Sequence, residues 1–277
     1  MTFPDMLKEY FRWTTNRPAE GFLSWQHLLY ATLMVGLTVA LALFLGRKYR
    51  DCSEKERDRV MKIAAIVMVS CELFKIVLIS VRNRDPFSIR SMLPLFLCSI
   101  NLFTIPFAAF GKGRWKELGR SAVAMYGMLC CLSGAYLAGN YFSSSPVLSF
   151  DPMMSVTTHC IAGFAGLYLF VSHLVRIEWK KGVQSLSLIF GVEVLAFLAN
   201  LWNRDSDGQY ESNYMFLDNP AGTPFDIIED LVGGIPVLYT LAVGASYLLY
   251  GVLFILVALG LRKLRARMRQ GRKTVNT

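Results

Sequence analysis

Six cysteines and three histidines are all the thiol and imidazole groups in this 277-residue chain. Two of them, Cys98 and His159, lie inside long apolar runs, as do Asn101, Glu72 and Glu193. Polar groups in such runs are costly unless they face protein or a water-filled space. A thiol becomes a nucleophile once a base takes its proton, and an imidazole has a suitable affinity for that proton. A carboxylate can orient the imidazole, as in a triad; Glu193 and Glu72 are the candidates. Asn101 follows Cys98 by three residues and so shares its helix face, where the amide can help hold an oxyanion. This set calls for no cofactor. No CxxC spacing exists and the histidines are scattered, so no metal site is expected.

Each residue also has a plainer reading. A cysteine in an apolar helix is commonly a small core residue, and that reading suits Cys71, Cys130, Cys131 and Cys160. His159 can simply bond a neighbouring helix, while His173 falls where headgroups begin. Lys75 either pairs with Glu72 one turn away or snorkels outward; both are structural. A mid-span carboxyl such as Glu193 needs a partner, a proton or water, a need that a ligand site and a structural pair both meet.

The elements that must position these groups are transmembrane. Hydrophobic residues make up 54% of the chain and charged residues 18%, against about a quarter charged in soluble domains. The apolar residues come in blocks of about 20, enough helix to cross roughly 30 Å of hydrocarbon. The expected fold is all-α, a polytopic bundle of seven transmembrane helices at 25–46, 60–81, 88–110, 119–142, 153–175, 183–202 and 234–261. Residues 1–24 read as an N-terminal interfacial segment, 25–261 as the transmembrane domain and 262–277 as a basic tail. The first segment lacks the apolar core of a signal peptide. Phe3, Leu7, Tyr10 and Phe11 recur there at helical spacing, as in a helix lying on a membrane surface.

The net charge is +9. In a soluble protein that would raise nucleic acid as a partner. Here basic loops beside anionic headgroups explain it better, so membrane lipids are the expected partners and nucleic acid is not. Of 29 lysines and arginines, 21 fall in loops on one side and seven on the other, with Lys75 inside the second span. Positive loops stay in the cytoplasm, which puts the N-terminus outside and the C-terminus inside. No cysteine pair lies in an exported loop, so no disulfide is expected.

At about 1.5 Å per residue, Cys98 and His159 both come between the midplane and the outer half. Glu72 and Glu193 come near the middle, so a cavity open to the outer half can collect all four with Asn101. Ser155, His159, Gly163 and Gly166 line one side of the fifth span, and Gly127, Cys131, Gly134 and Ala138 one side of the fourth. Such runs mark close helix contacts. The loop 203–233 is the longest and most acidic. It either folds over the cavity as a lid, with Tyr214, Met215 and Phe216 packing down, or is an ordered connector. Asn213 in it caps a turn or contacts substrate.

The run Leu93-Pro94-Leu95-Phe96-Leu97-Cys98, His159, and Asn213-Tyr214-Met215-Phe216-Leu217 followed by Pro220-Ala221-Gly222 resemble the YwaF-type integral membrane proteins of bacteria. That family is similar to eukaryotic transmembrane protein 164. The resemblance covers roughly residues 25–261. It implies acyl transfer onto lysophospholipids by a membrane-embedded cysteine and histidine, which would be Cys98 and His159, in a bacterial cytoplasmic membrane. The chain departs from the pattern at Phe96, where bacterial members commonly carry His or Gln. Two functions are therefore expected. One is an acyltransferase-like or lipid-hydrolase-like protein acting on phospholipid or another amphiphile, with Asn101, Glu193, Glu72, Asn213 and Tyr214 as substrate contacts. The alternative is a non-enzymatic carrier or receptor for a small amphiphilic ligand, using the intramembrane Glu, Asn and His.

Overall fold

The computed structural model describes residues 10–11, 18–83, 93–203, 213–220 and 222–275, and the backbone alone for 265–267 and 269–275. The helices are α1 (Trp25–Tyr49), α2 (Glu54–Asn83), α3 (Asn101–Phe110), α4 (Gly113–Tyr136), α5 (Gly139–Phe142), α6 (Phe150–Val171), α7 (Trp179–Trp202), α8 (Asp226–Leu231) and α9 (Pro236–Val275), with a 3-10 turn at Tyr214–Phe216. No strand occurs among the described residues. Six helical stretches are long and apolar enough to cross a membrane.

Local chemistry sets several helix ends. α1 opens at Ser24, whose hydroxyl accepts from the His27 N–H at 3.3 Å. It closes with Arg47 and Lys48 at the negative end of its dipole. α2 opens with a reciprocal cap. The Ser53 N–H donates to the Glu56 carboxylate at 3.0 Å, and the Glu56 N–H donates to the Ser53 hydroxyl at 3.4 Å.

Ion pairs show which ends lie together. Arg120 of α4 pairs with Asp58 of α2 at 2.6 Å and with Glu54 at 2.8 Å, and Lys116 also pairs with Asp58. Lys181 of α7 pairs with Glu117 of α4 at 2.5 Å. The starts of α2, α4 and α7 therefore share one end, here the lower end. α1 and α6 finish there, with Gly46 packed on Val171 and Ser172. α9 descends against α7, with Gly244 near Glu193 and Gly182 on Ile255.

α4 and α6 form the centre. Gly127 meets Ala162 and Gly166, and Gly163 meets Cys131, so the two backbones nearly touch, as the small-residue spacing predicts. These are the most buried and least apolar of the six spans. α1, α2, α7 and α9 instead carry large exposed apolar side chains such as Leu33, Phe74, Phe190 and Leu241, as helices facing lipid do. At the upper end, Phe11 of the expected interfacial segment packs on Phe74 and Phe150, with ring centres 6.5 and 5.4 Å away.

The expected third span is different. Among its described residues only Asn101–Phe110 is helical, ten residues, or about 15 Å of helix. Residues 93–100 form irregular turns, with the Leu95 N–H on the Leu93 carbonyl at 2.8 Å and the Ile100 N–H on that of Phe96 at 3.1 Å. Pro94 has no N–H to give a helix and pushes Leu93 out of helical geometry. Residues 88–92 of that span lie outside the described residues. Because α2 finishes at the upper end and α4 starts at the lower, the chain descends through 93–110 as a broken element. Six continuous spans and this element replace the seven continuous helices expected. Non-helical backbone at such depth survives only where protein or water surrounds it. The fourth span also breaks early, at Leu137 and Ala138, before α5. α9 runs unbroken past residue 261 into the basic tail.

Candidate active site

Cys98 stands on the irregular turn three residues before α3 begins. Asn101 holds that turn. Its side-chain amide donates to the Cys98 carbonyl at 3.0 Å and to the Cys130 sulfur at 3.6 Å, while its oxygen accepts from Thr104 at 3.4 Å. The Cys130 thiol donates to the Leu97 carbonyl at 3.6 Å. Cys130, on paper a packing residue, thus braces the turn from below. The Cys98 sulfur lies 3.9 Å from the Ser99 hydroxyl. Among the described residues, the N–H groups of Cys98 and Ser99 have no hydrogen-bond partner. They stand just ahead of the positive end of α3.

The Cys98 thiol and the His159 imidazole lie within electrostatic reach of one another. Both residues are half-buried. His159 Nδ1 lies 2.7 Å from the Ser155 carbonyl. A carbonyl only accepts, so Nδ1 carries the proton and Nε2 is left with a free lone pair. The orienting group is thus a backbone carbonyl one turn back on α6, where a carboxylate from Glu193 or Glu72 was expected. Gly134 of α4 makes room for the ring: a Cβ there would overlap Cγ and Cδ2 of His159 and stand 2.6 Å from Nε2.

Glu72 lines the same side of the bundle, paired with Lys75 at 2.6 Å. The Lys75 charge reaches both Cys98 and His159. Tyr141 of α5 also lies within electrostatic reach of Cys98, Glu72 and Asp151. Sequence reading misses Tyr141, which sits on a four-residue helix beyond an unforeseen break.

Glu193 belongs to another wall. It shares the buried stripe of α7 with Ser185, Ile189, Ala196 and Asn200, and it is not among the charged neighbours of Cys98 or His159. Its Oε1 is buried with no hydrogen-bond partner among the described residues.

Asn213 and Tyr214 shape a loop that enters the bundle. Asn213 donates to the Asn219 carbonyl at 2.7 Å and accepts from the Asp218 N–H at 3.1 Å, closing a turn. Asn200 brackets Tyr214, accepting from its N–H at 2.8 Å and donating to its carbonyl at 3.1 Å. Tyr214 is fully buried, and its hydroxyl accepts from the Leu93 N–H at 3.1 Å. Met215 and Phe216 sit at φ 54° and 55°, a left-handed geometry costly for bulky residues. Tyr247 and Tyr239 hold them there, donating to the Met215 and Phe216 carbonyls at 3.0 and 2.9 Å. Phe96 packs against Tyr214 and Phe216, with ring centres 5.4 and 5.5 Å apart. The residue that departs from the expected motif is therefore the joint between the Cys98 turn and this loop.

Comparison with known proteins agrees with this architecture. A model of the TMEM164 family matches residues 22–260, which takes in every residue of the site. No curated protein and no solved structure matches the chain. With six membrane-crossing helices and a family match over most of its length, the chain belongs to the TMEM164 family of membrane proteins.

Proposed function

We propose that the protein is a membrane-embedded lipid acyltransferase or lipid hydrolase working through Cys98 and His159. One observation carries the reading: His159, an electrostatic neighbour of the Cys98 thiol, has its Nδ1 tied to the Ser155 carbonyl, which leaves Nε2 to take a proton. The sulfur attacks the carbonyl carbon of an acyl ester as the S–H proton passes to His159 Nε2. A C–S bond forms and the carbonyl oxygen takes the negative charge. The N–H groups of Cys98 and Ser99, without partners among the described residues, are the donors for that oxyanion. Asn101, committed to the turn, acts by holding them in place. Collapse breaks the C–O bond, and His159 returns the proton to the leaving oxygen. A lysolipid hydroxyl, or water, then attacks the thioester. Its proton passes through His159 to the departing sulfur.

The substrate in this reading is a phospholipid or similar amphiphile in a bacterial cytoplasmic membrane. In this reading the N-terminus lies outside, the C-terminus inside, and Cys98 and His159 lie toward the outer half. Glu72 is a further candidate contact, and Asn213 and Tyr214 act through the loop that packs on the Cys98 turn. The test is lipid mass spectrometry of the purified protein with phospholipid and lysophospholipid. Cys98→Ala is expected to abolish product, and His159→Gln to slow it by about 10²–10⁴-fold. Product formation at the normal rate by Cys98→Ala would sink the proposal.

The unpaired Glu193 carboxyl favours a second reading, a carrier or receptor for a small amphiphile. It predicts ligand uptake that is lost in Glu193→Gln and kept in Cys98→Ala.

A further inference from the structure

Cys131 of α4 and Cys160 of α6 hold their sulfurs 3.9 Å apart. Both thiols are free, and the residues are 0% and 6% exposed. They lie in a small apolar cluster with Ala31 of α1, Ala135 and Val156. Gly163, one turn after Cys160, lets Cys131 in: a Cβ at Gly163 would stand 2.5 Å from the Cys131 Cβ and 2.8 Å from its sulfur. Among the described residues, the Cys131 thiol has no hydrogen-bond partner but the Cys160 sulfur. A thiol is a weak donor and a weak acceptor, so the contact adds little to packing by itself.

What the contact does offer is chemistry. A disulfide joins sulfurs about 2.0 Å apart on Cβ carbons about 3.5–4.5 Å apart. Helices bring Cβ carbons that close only where small residues let the backbones meet, as Gly127, Gly163 and Gly166 do between α4 and α6. The neighbouring thiol is engaged elsewhere, since Cys130 donates to the Leu97 carbonyl and accepts from Asn101. Cys160 directly follows His159 on α6, and Cys131 directly follows Cys130, the brace of the Cys98 turn. A bond between the two sulfurs would therefore close across the two helices that carry the candidate site.

We propose that Cys131 and Cys160 form a redox modification site, closed to a disulfide by a hydroperoxide and reopened by a dithiol. Cys160, the less buried of the two, attacks the terminal oxygen of the hydroperoxide. The O–O bond breaks, the thiol proton leaves with the departing oxygen as an alcohol or water, and Cys160 becomes a sulfenic acid. The Cys131 sulfur then attacks that of Cys160. An S–S bond forms, the S–O bond breaks, and the Cys131 proton leaves with the hydroxyl as water. One hydroperoxide thus takes two electrons from the two thiols. A dithiol returns them by exchange and leaves as its own disulfide. While closed, the bond fastens the helix that carries His159 to the helix that braces the Cys98 turn.

The test uses full-length protein in detergent and needs no lipid substrate. The protein is treated with hydrogen peroxide, remaining thiols are capped with N-ethylmaleimide under denaturing conditions, and peptic peptides are read by mass spectrometry. The expected product is a peptide pair in which Cys131 is linked to Cys160, and which dithiothreitol separates. With dimedone present, Cys131→Ser is expected to be labelled at Cys160, because the resolving sulfur is gone. Oxidation of the half-buried Cys52 shows that the peroxide has acted. Recovery of Cys131 and Cys160 as capped thiols once Cys52 is oxidised overturns the proposal. So does a bridge from either to a different cysteine, or a sulfinic acid at Cys160 beside a free Cys131. The unchanged protein decides all of these outcomes even if Cys131→Ser does not fold.

Discussion

Gly134→Ala tests the placement of the base without touching it. The added methyl would stand 2.6 Å from His159 Nε2 and closer still to Cγ and Cδ2, where ordinary contact is 3.4–4 Å. The ring must therefore yield by about 1 Å. Moving stretches the 2.7 Å bond from Nδ1 to the Ser155 carbonyl. A misplacement of about 1 Å costs roughly 10²-fold in rate, whereas overpacking at a helix contact costs about 1–3 kcal/mol of stability. The assay is kcat/KM for lipid turnover, read beside the thermal midpoint in detergent. The expected result is a loss of about two orders of magnitude in a protein that still folds. Activity within two-fold of the unchanged protein would mean that the ring position seen here is not the working one, and the proposed base would have to be abandoned.

Two further outcomes follow from the hydrogen bonds around the turn and the loop. Asn101→Leu removes the side-chain bond to the Cys98 carbonyl and should lower stability by about 1–3 kcal/mol, seen as a lower thermal midpoint; an unchanged midpoint contradicts the bracing role. Asn200→Leu leaves both the N–H and the carbonyl of Tyr214 without their partner. Hydrogen exchange at the Tyr214 amide should then speed up by at least ten-fold, at a cost of about 2 kcal/mol. Exchange at the original rate would show that the loop is held by its tyrosines instead.

Much of this architecture is legible in residue types alone. Long apolar runs announce seven spans because crossing a bilayer requires them, and six of these are long apolar helices. Glycine spacing in the fourth and fifth runs foretells the contact of α4 with α6, since only small residues let backbones approach so closely. Counting depth along the helices brings Cys98 and His159 to one level, and the two lie within electrostatic reach of each other. Lys75 and Glu72 pair as their spacing suggests. What stays hidden is backbone geometry. Leu93 to Ile100 is apolar enough to pass for continuous helix, and one proline is a weak sign that the chain will turn there. Hydropathy is also blind to carbonyls, so Ser155 could not be picked out as the group that orients His159. Tyr214 and Phe96 meet across more than a hundred residues, and no local pattern records that.

The placement of α4 and α6 bears on how the chain is made. The two spans with the least apolar surface sit where other helices, not lipid, surround them. Translocation machinery sorts each segment by its own hydrophobicity as it emerges, so these two are poor membrane insertors in isolation. α1 and α2 enter first and offer the earliest protein surface, and α7 and α9 complete the enclosure later. Maturation is therefore a race between lateral partitioning and helix pairing. A slow step there would leave the half of the chain that carries Cys98 and His159 exposed to quality-control proteases before its neighbours arrive.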